Sequence, residues 1–162
     1  MIEPGTESPS TFEDALKVAS RLQPSLNKLM VIFQRTTEGS SLTTSQVSIM
    51  NQLRSRGPSR VSVIAQAELI RMPTASNALY QLEMRGLVER MRDETDRRGV
   101  LVALTPKGEE ELDVVSHERS EALAQIMRWL PPEELEQAHT LADLVTHLAN
   151  VYNPTAGYKI RP

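Results

Sequence analysis

Apolar residues recur every three or four positions from Phe12 to Phe33, through Leu16, Ala19, Leu22, Leu26 and Leu29. That spacing is the stripe of an amphipathic helix. Ser10 or Thr11 can cap it, with Glu13 and Asp14 in the first turn, where the positive end of the helix dipole favours carboxylates. Pro24 sits inside the stripe and predicts a kink rather than a stop, because the stripe resumes beyond it. Residues 36–41, TTEGSS, read as a loop. Thr43 followed three residues later by Gln46 is a capping box, and Leu42 and Val47 stand where a hydrophobic staple would sit. The helix they open carries Val47, Ile49, Met50 and Leu53 and should stop near Gly57-Pro58.

The pattern then shortens. Ser59 to Leu69 predicts a helix with Val61, Ile64, Ala65 and Leu69 inward. Ile70 to Pro73 predicts a turn. A helix from about Thr74 to Arg85 follows, with Ala75, Ala78, Leu79 and Leu82 inward and Gly86 as its stop. Leu87 to Arg92 and Val100 to Leu104 are strand-like, joined by the polar turn Asp93 to Gly99. Thr105-Pro106 is a strong start signal for another helix. Its apolar positions run from Leu112 through Val115, Leu123, Ile126 and Met127 to Leu130, about six turns, more than one small domain needs. Pro131-Pro132 breaks it. A last helix carries Leu135, Ala138, Leu141, Ala142, Val145, Leu148, Ala149 and Tyr152. The tail from Asn153 looks irregular.

Helix, turn, helix and charged ribbon in that order is a winged helix-turn-helix. The expected fold is mainly α with a small β-hairpin wing, plus a helical dimerisation region. The expected division is a loose N-terminus (1–9), an N-terminal dimerisation helix (10–41), the winged helix-turn-helix (42–105), C-terminal dimerisation helices (106–152) and an irregular tail (153–162).

Composition narrows the chemistry. The 162 residues include no Cys, which excludes disulfides, Cys-ligated zinc and thiol redox sensing. No apolar run approaches a membrane span, and the acidic N-terminus lacks the apolar core of a secretory signal, so a cytoplasmic protein without membrane contact is expected. The net charge of −3 is unevenly spread. Between Arg54 and Lys107 ten Lys/Arg face six Asp/Glu, and the remainder has eight against fifteen. For nucleic acid the basic middle matters more than the total.

The helix from Thr74 offers Thr74, Ser76, Asn77 and Gln81 opposite Ala75, Ala78 and Leu82. Asn and Gln can bond adenine through two atoms, and Ser and Thr reach bases or phosphates. Such residues also suit a plain solvated helix face. The ribbon shifts the balance: Arg90, Arg92, Arg97 and Arg98 cluster within nine residues, suited to phosphate or minor-groove contact. Asp96 makes sense beside them if it orients an arginine. Arg54, Arg56 and Lys107 are further cations, more in keeping with a solvated surface. His139, Asp143 and His147 share a face of the last helix, but so do Thr146 and Asn150, and a solvated face is the better reading than a metal site. No nucleophile–base pair, phosphate-binding glycine loop or catalytic group is evident, so no enzyme and no cofactor is expected.

At these residues the chain resembles the MarR-type (multiple antibiotic resistance) transcriptional regulators. Asp96-x-Arg98 followed by Val102-x-Leu104-Thr105-x-x-Gly108 is similar to that family's wing signature. Leu82-Glu83-x-x-Gly86-Leu87-Val88-x-Arg90 is similar to the end of its recognition helix, and Leu42-Thr43-x-x-Gln46 to the start of its second helix. The resemblance implies a homodimeric, ligand-responsive repressor on a near-palindromic operator in double-stranded DNA. It implies Arg98 as wing-tip contact, Asp96 as its support, and Thr74, Ser76 and Asn77 as groove readers. Many members bind a small aromatic or phenolic ligand. Ile70-Arg71-Met72-Pro73 departs from the more polar turn usual before the recognition helix. The rival reading is a winged-helix module for protein–protein assembly, which has no need of four arginines at a wing.

Overall fold

The computed structural model describes residues 11–93 and 99–151. The elements are α1 (Phe12–Thr36), α2 (Thr44–Arg56), α3 (Val61–Ala67), α4 (Met72–Met84), β1 (Val88–Arg92), β2 (Val100–Leu104), α5 (Pro106–Met127) and α6 (Pro132–Val151). They fall into two compact units that divide between Glu38 and Gly39.

The first unit is α1. Thr11 caps it as expected, its hydroxyl accepting the Asp14 N–H at 3.2 Å. The helix runs on past Pro24, as the stripe implied. No residue of α1 is buried. Phe12, Leu16, Leu22, Leu26 and Leu29 are all exposed in the single chain.

In the second unit the core gathers Leu42, Ile49, Met50 and Leu53 from α2 and its approach, Ile64 from α3, Leu79 and Leu82 from α4, Leu87 and Val102 from the hairpin, and Leu112 and Val115 from α5. The capping box at Thr43 and Gln46 is formed in both directions. Both staple residues, Leu42 and Val47, are buried, so the loop is pinned where it becomes helix.

The helix-turn-helix differs from expectation at its joint. Helix α3 is shorter than Ser59–Leu69, and α4 begins at Met72, two residues before Thr74. The reason lies in how α3 ends. Ile70 N–H donates to Ala65 O at 3.0 Å and Leu69 N–H to Gln66 O at 3.3 Å. This is a Schellman ending, which needs a left-handed residue, and here that residue is Leu69 at φ 56. The turn therefore closes early. Pro73 falls inside the first turn of α4, where its missing N–H is no loss. Helix α4 ends the same way with Gly86 at φ 72, Leu87 N–H reaching Leu82 O at 3.0 Å.

Strands β1 and β2 pair antiparallel, Val88 opposite Leu104 and Arg92 opposite Val100. Ser59 adds a bridge on the far side of β2, exchanging both backbone bonds with Val102 at 3.0 and 2.9 Å. The Thr105 hydroxyl starts α5 by accepting the Gly108 N–H at 3.0 Å and donates to Gly86 O at 2.7 Å, so one side chain ties the end of α4 to the start of α5. Helix α5 buries only Gly108, Leu112 and Val115 along its length. Leu135, Leu141, Val145 and Leu148 of α6 are exposed, as are Leu123 and Trp129 before it. No helix among the described residues is long and apolar enough to cross a membrane.

Candidate nucleic-acid interface

Helix α4 is built to present one face. Ala75, Leu79 and Leu82 are buried and Ala78 packs against the same core. The helical period then turns Thr74, Asn77 and Gln81 outward, and all three are exposed. Ser76 is half-buried at the edge of that face. Thr74, Ser76 and Asn77 make no side-chain hydrogen bond to another described residue, so their polar groups are uncommitted. Gln81 is different: its Oε1 accepts from Gln46 Nε2 at 3.1 Å. Two residues on this face escaped the sequence reading. Tyr80 is 56% exposed beside Gln81, and Arg71, the residue before α4, is exposed. The signal for Tyr80 was its position three residues after Asn77. A phenol in an apolar-rich helix reads more readily as core.

The hairpin stands against α4 through a half-exposed ion pair, Arg90 Nε to Glu83 Oε2 at 2.9 Å. Arg90 and Arg92 lie on one face of β1 by strand alternation, but they are not equivalent. Arg92 is exposed and has no ion-pair partner among the described residues. The hairpin stem closes where Asp93 N–H donates to Gly99 O at 3.0 Å. Arg60, at the residue before α3, bonds Asp93 Oδ2 at 2.7 Å, and the Asp93 side chain is only 10% exposed. The stem is thereby tied to the start of the helix-turn-helix. Asp96, Arg97 and Arg98, expected at the tip, lie outside the described residues.

Three further cations from the basic middle have internal partners. Arg54 bonds Glu109 at 2.7 Å and Asp113 at 2.8 Å, locking α2 to α5. Lys107 Nζ donates to Arg85 O at 2.7 Å. Arg85 itself bonds Ser41 O at 2.6 Å and Glu111 at 2.8 Å. Phosphate contact by Arg54 or Lys107 would compete with these bonds. Arg56 and Arg71 join Arg92 as exposed cations without an ion pair among the described residues.

Glu111 also accepts the Ser41 hydroxyl at 2.6 Å. That bond is the largest cause holding its carboxyl below the usual value; partial burial opposes it and the Arg85 charge reinforces it. Arg119 Nη2 donates to Leu42 O at 2.9 Å, and burial holds its guanidinium below its ordinary value. The loop entering α2 is thus clasped by side chains of α4 and α5. His139, Asp143 and His147 are all exposed on α6. Among the described residues no three His, Cys, Asp or Glu are grouped to hold a metal ion.

Residues 42–100, which span α2 to the start of β2, match the model of the MarR family. The winged helix-turn-helix region matches the MarR family. It is similar to the HTH-type transcriptional repressor MdtR of Bacillus subtilis, 27% identical over 124 residues, 76% of this chain and 80% of that one. Among solved structures it is similar to BpsR of Bordetella bronchiseptica, 26% identical with a TM-score of 0.59 over 86% of this chain and 98% of that one. The apo form of MarR from E. coli shares the fold, with a TM-score of 0.65 at 20% identity over 78% of this chain and 95% of that one. The winged-helix expectation and the MarR resemblance therefore hold, as does the reading of a transcriptional regulator rather than an enzyme. The MarR-family match takes in both the α4 face and the first strand of the hairpin.

Proposed function

We propose that this chain acts as a homodimer that reads a near-palindromic operator in double-stranded DNA and represses transcription until a small ligand releases it. The observation that carries this is the α4 face: three exposed polar side chains on a helix whose opposite side is core, beside a hairpin bearing an exposed Arg92 with no ion pair among the described residues. A major groove about 12 Å wide admits such a helix. Thr74, Ser76, Asn77 and Gln81 would meet base edges or nearby phosphates. Arg92, Arg97 and Arg98 would lie along the backbone or in the flanking minor groove, with Asp96 orienting Arg98. Arg90 would contribute less, because Glu83 already holds it.

The dimer follows from what the single chain leaves uncovered. Helices α1 and α6 expose their apolar positions, and such surface is stable in water when a second copy covers it. A two-fold dimer places two α4 helices on half-sites about one helical turn apart, roughly 34–36 Å. The repressor assignment is supported by MdtR, which is named as a repressor. The ligand is supported by BpsR, whose DNA binding is described as regulated by 6-hydroxynicotinic acid. A small aromatic or phenolic effector would act by binding better to the conformer whose two α4 helices no longer match the groove spacing.

Selection from a random duplex library tests the core of this. Recovered sequences should share a two-fold motif with half-sites one turn apart. Recovery of no common sequence would leave the assembly-module reading in place instead.

A further inference from the structure

We infer that Gln46, a residue of α2 with no access to DNA, sets which chemical face Gln81 turns toward a base. The inference rests on the reading above that α4 lies in the major groove.

The chain of bonds begins at a group whose polarity is fixed. The Thr43 backbone N–H is a donor and nothing else. It bonds the Gln46 side chain at 2.9 Å, so the Gln46 atom facing it is the oxygen. The other amide atom of Gln46 is therefore the nitrogen, a donor, and it lies 3.1 Å from the Gln81 side chain. A donor requires an acceptor, so Gln81 turns its oxygen inward. Gln46 is only 6% exposed, which leaves water little opportunity to substitute in this relay. The Gln46 N–H to Thr43 Oγ1 bond at 3.2 Å closes the box and holds the side chain in place.

The consequence falls on the exposed end. A free glutamine can offer an acceptor and two donors together, the combination that pairs with adenine. Gln81 here has its acceptor engaged, while its Nε2 hydrogens make no bond to another described residue. The amide therefore faces outward as a donor. In the major groove that favours edges whose acceptors stand without an amino group beside them, guanine N7 and O6 or thymine O4, over adenine, which sets its amino group next to its N7, and cytosine, which offers an amino group alone.

Gln46→Glu inverts the relay with little other change. Glutamate is the other common residue at this position of a capping box. One carboxylate oxygen still accepts from Thr43, and the other now presents an acceptor to Gln81. Gln81 must then rotate its amide, nitrogen inward and oxygen outward. The added charge lowers affinity for every duplex alike, so the readout is the base preference and not the affinity.

The experiment is selection from random duplexes at neutral pH with the full-length wild type and with Gln46→Glu, Gln46→Met and Gln81→Ala, each first checked for folding by thermal melting. In the wild type one position of each half-site should prefer guanine or thymine, and Gln81→Ala should erase that preference. Gln46→Glu should shift the same position toward adenine or cytosine, on the order of tenfold in the ratio of recovered bases. Gln46→Met leaves Gln81 free to offer acceptor and donor together and should move the same position toward adenine; it serves as the test if the glutamate variant does not fold. A wild type that selects a two-fold motif while its Gln46 variants keep the same base at every position overturns the relay and leaves the DNA-reading assignment standing. A Gln81→Ala variant with wild-type preferences overturns the relay in the same way. A wild type that selects no motif overturns both.

Discussion

The carbonyl oxygen of Leu87 occupies the space that a Cβ on Gly108 would need. Thr105 sets this approach, its backbone N–H donating to that same carbonyl at 3.2 Å while its hydroxyl caps α5. The obstacle is backbone on a core residue, which cannot swing aside. Gly108→Ala should therefore cost about 3 kcal/mol or more. Gly86→Ala is the instructive control. Gly86 sits at φ 72 with open space where its Cβ would be, so only the left-handed strain of about 1–2 kcal/mol applies. Urea melts of the two variants should rank Gly108→Ala well below Gly86→Ala. The reverse order would mean that α5 shifts away from Leu87 at little cost.

Leu69 holds the conformation that Gly86 holds, without glycine's freedom. Its side chain is 52% exposed, so little burial is lost on removing it. Relief of roughly 1–2 kcal/mol of left-handed strain outweighs the roughly 0.5–1 kcal/mol entropic cost of a new glycine. Leu69→Gly should be neutral or stabilising by up to about 1 kcal/mol, and Leu69→Val should destabilise, because a β-branched residue fits this region worst. A lower melting temperature for Leu69→Gly than for the wild type would contradict the strain assignment.

Glu111 gives the acid side of the stability curve a definite sign. The Ser41 hydrogen bond, with the Arg85 charge, lowers its carboxyl from the ordinary 4.5. A lowered carboxylate stabilises the fold above its unfolded value, and that stabilisation is lost as pH falls through the folded value. Glu111→Gln should lose on the order of 1 kcal/mol around neutral pH, discounted for partial exposure. The gap to the wild type should narrow below about pH 4.5. A gap independent of pH would show that the loss is geometric and not electrostatic.

Arg90 and Arg92 share a strand face and differ in company. Arg92→Ala should weaken operator binding and reduce the slope of log affinity against log salt by about one. Arg90→Ala should change that slope less, because it removes a cation already paired with Glu83. Arg98→Ala is expected to behave like Arg92→Ala. Equal slope changes for Arg90 and Arg92 would mean that DNA draws Arg90 away from Glu83.

Much of the fold was legible because its signals are local. The Thr43–Gln46 box, the Gly86 stop and the Thr105-Pro106 start each depend on residues within a few positions, and each stands where the spacing put it. The joint between α3 and α4 was misjudged for the opposite reason. A leucine in a glycine's conformation leaves no mark in the sequence, so the spacing extends α3 through Leu69, the residue beyond its end, and starts α4 two residues late. The partners of Arg54 and Lys107 were invisible for another reason. Arg54 meets Glu109 and Asp113 more than fifty residues away, and a count of charges does not show which of them neutralise one another. The link from Gln46 to Gln81, across 35 residues, is hidden in the same way.

Removing α6 isolates its role. A chain ending after Pro131 keeps every residue of the described core, whose last member is Val115. It should retain a cooperative melt but sediment as a monomer. A truncated protein that remains dimeric would move the dimer contact elsewhere.

Helices α1 and α6 expose their apolar positions within one chain. In a homodimer that surface is covered only on encounter, so the active species rises with the square of copy number while the protein is scarce. Occupancy of an operator would then report abundance as well as affinity. A cell holding half as much of the protein would lose more than half of its DNA-competent form, and a gene under its control would respond to synthesis rate and dilution by growth even with no ligand present.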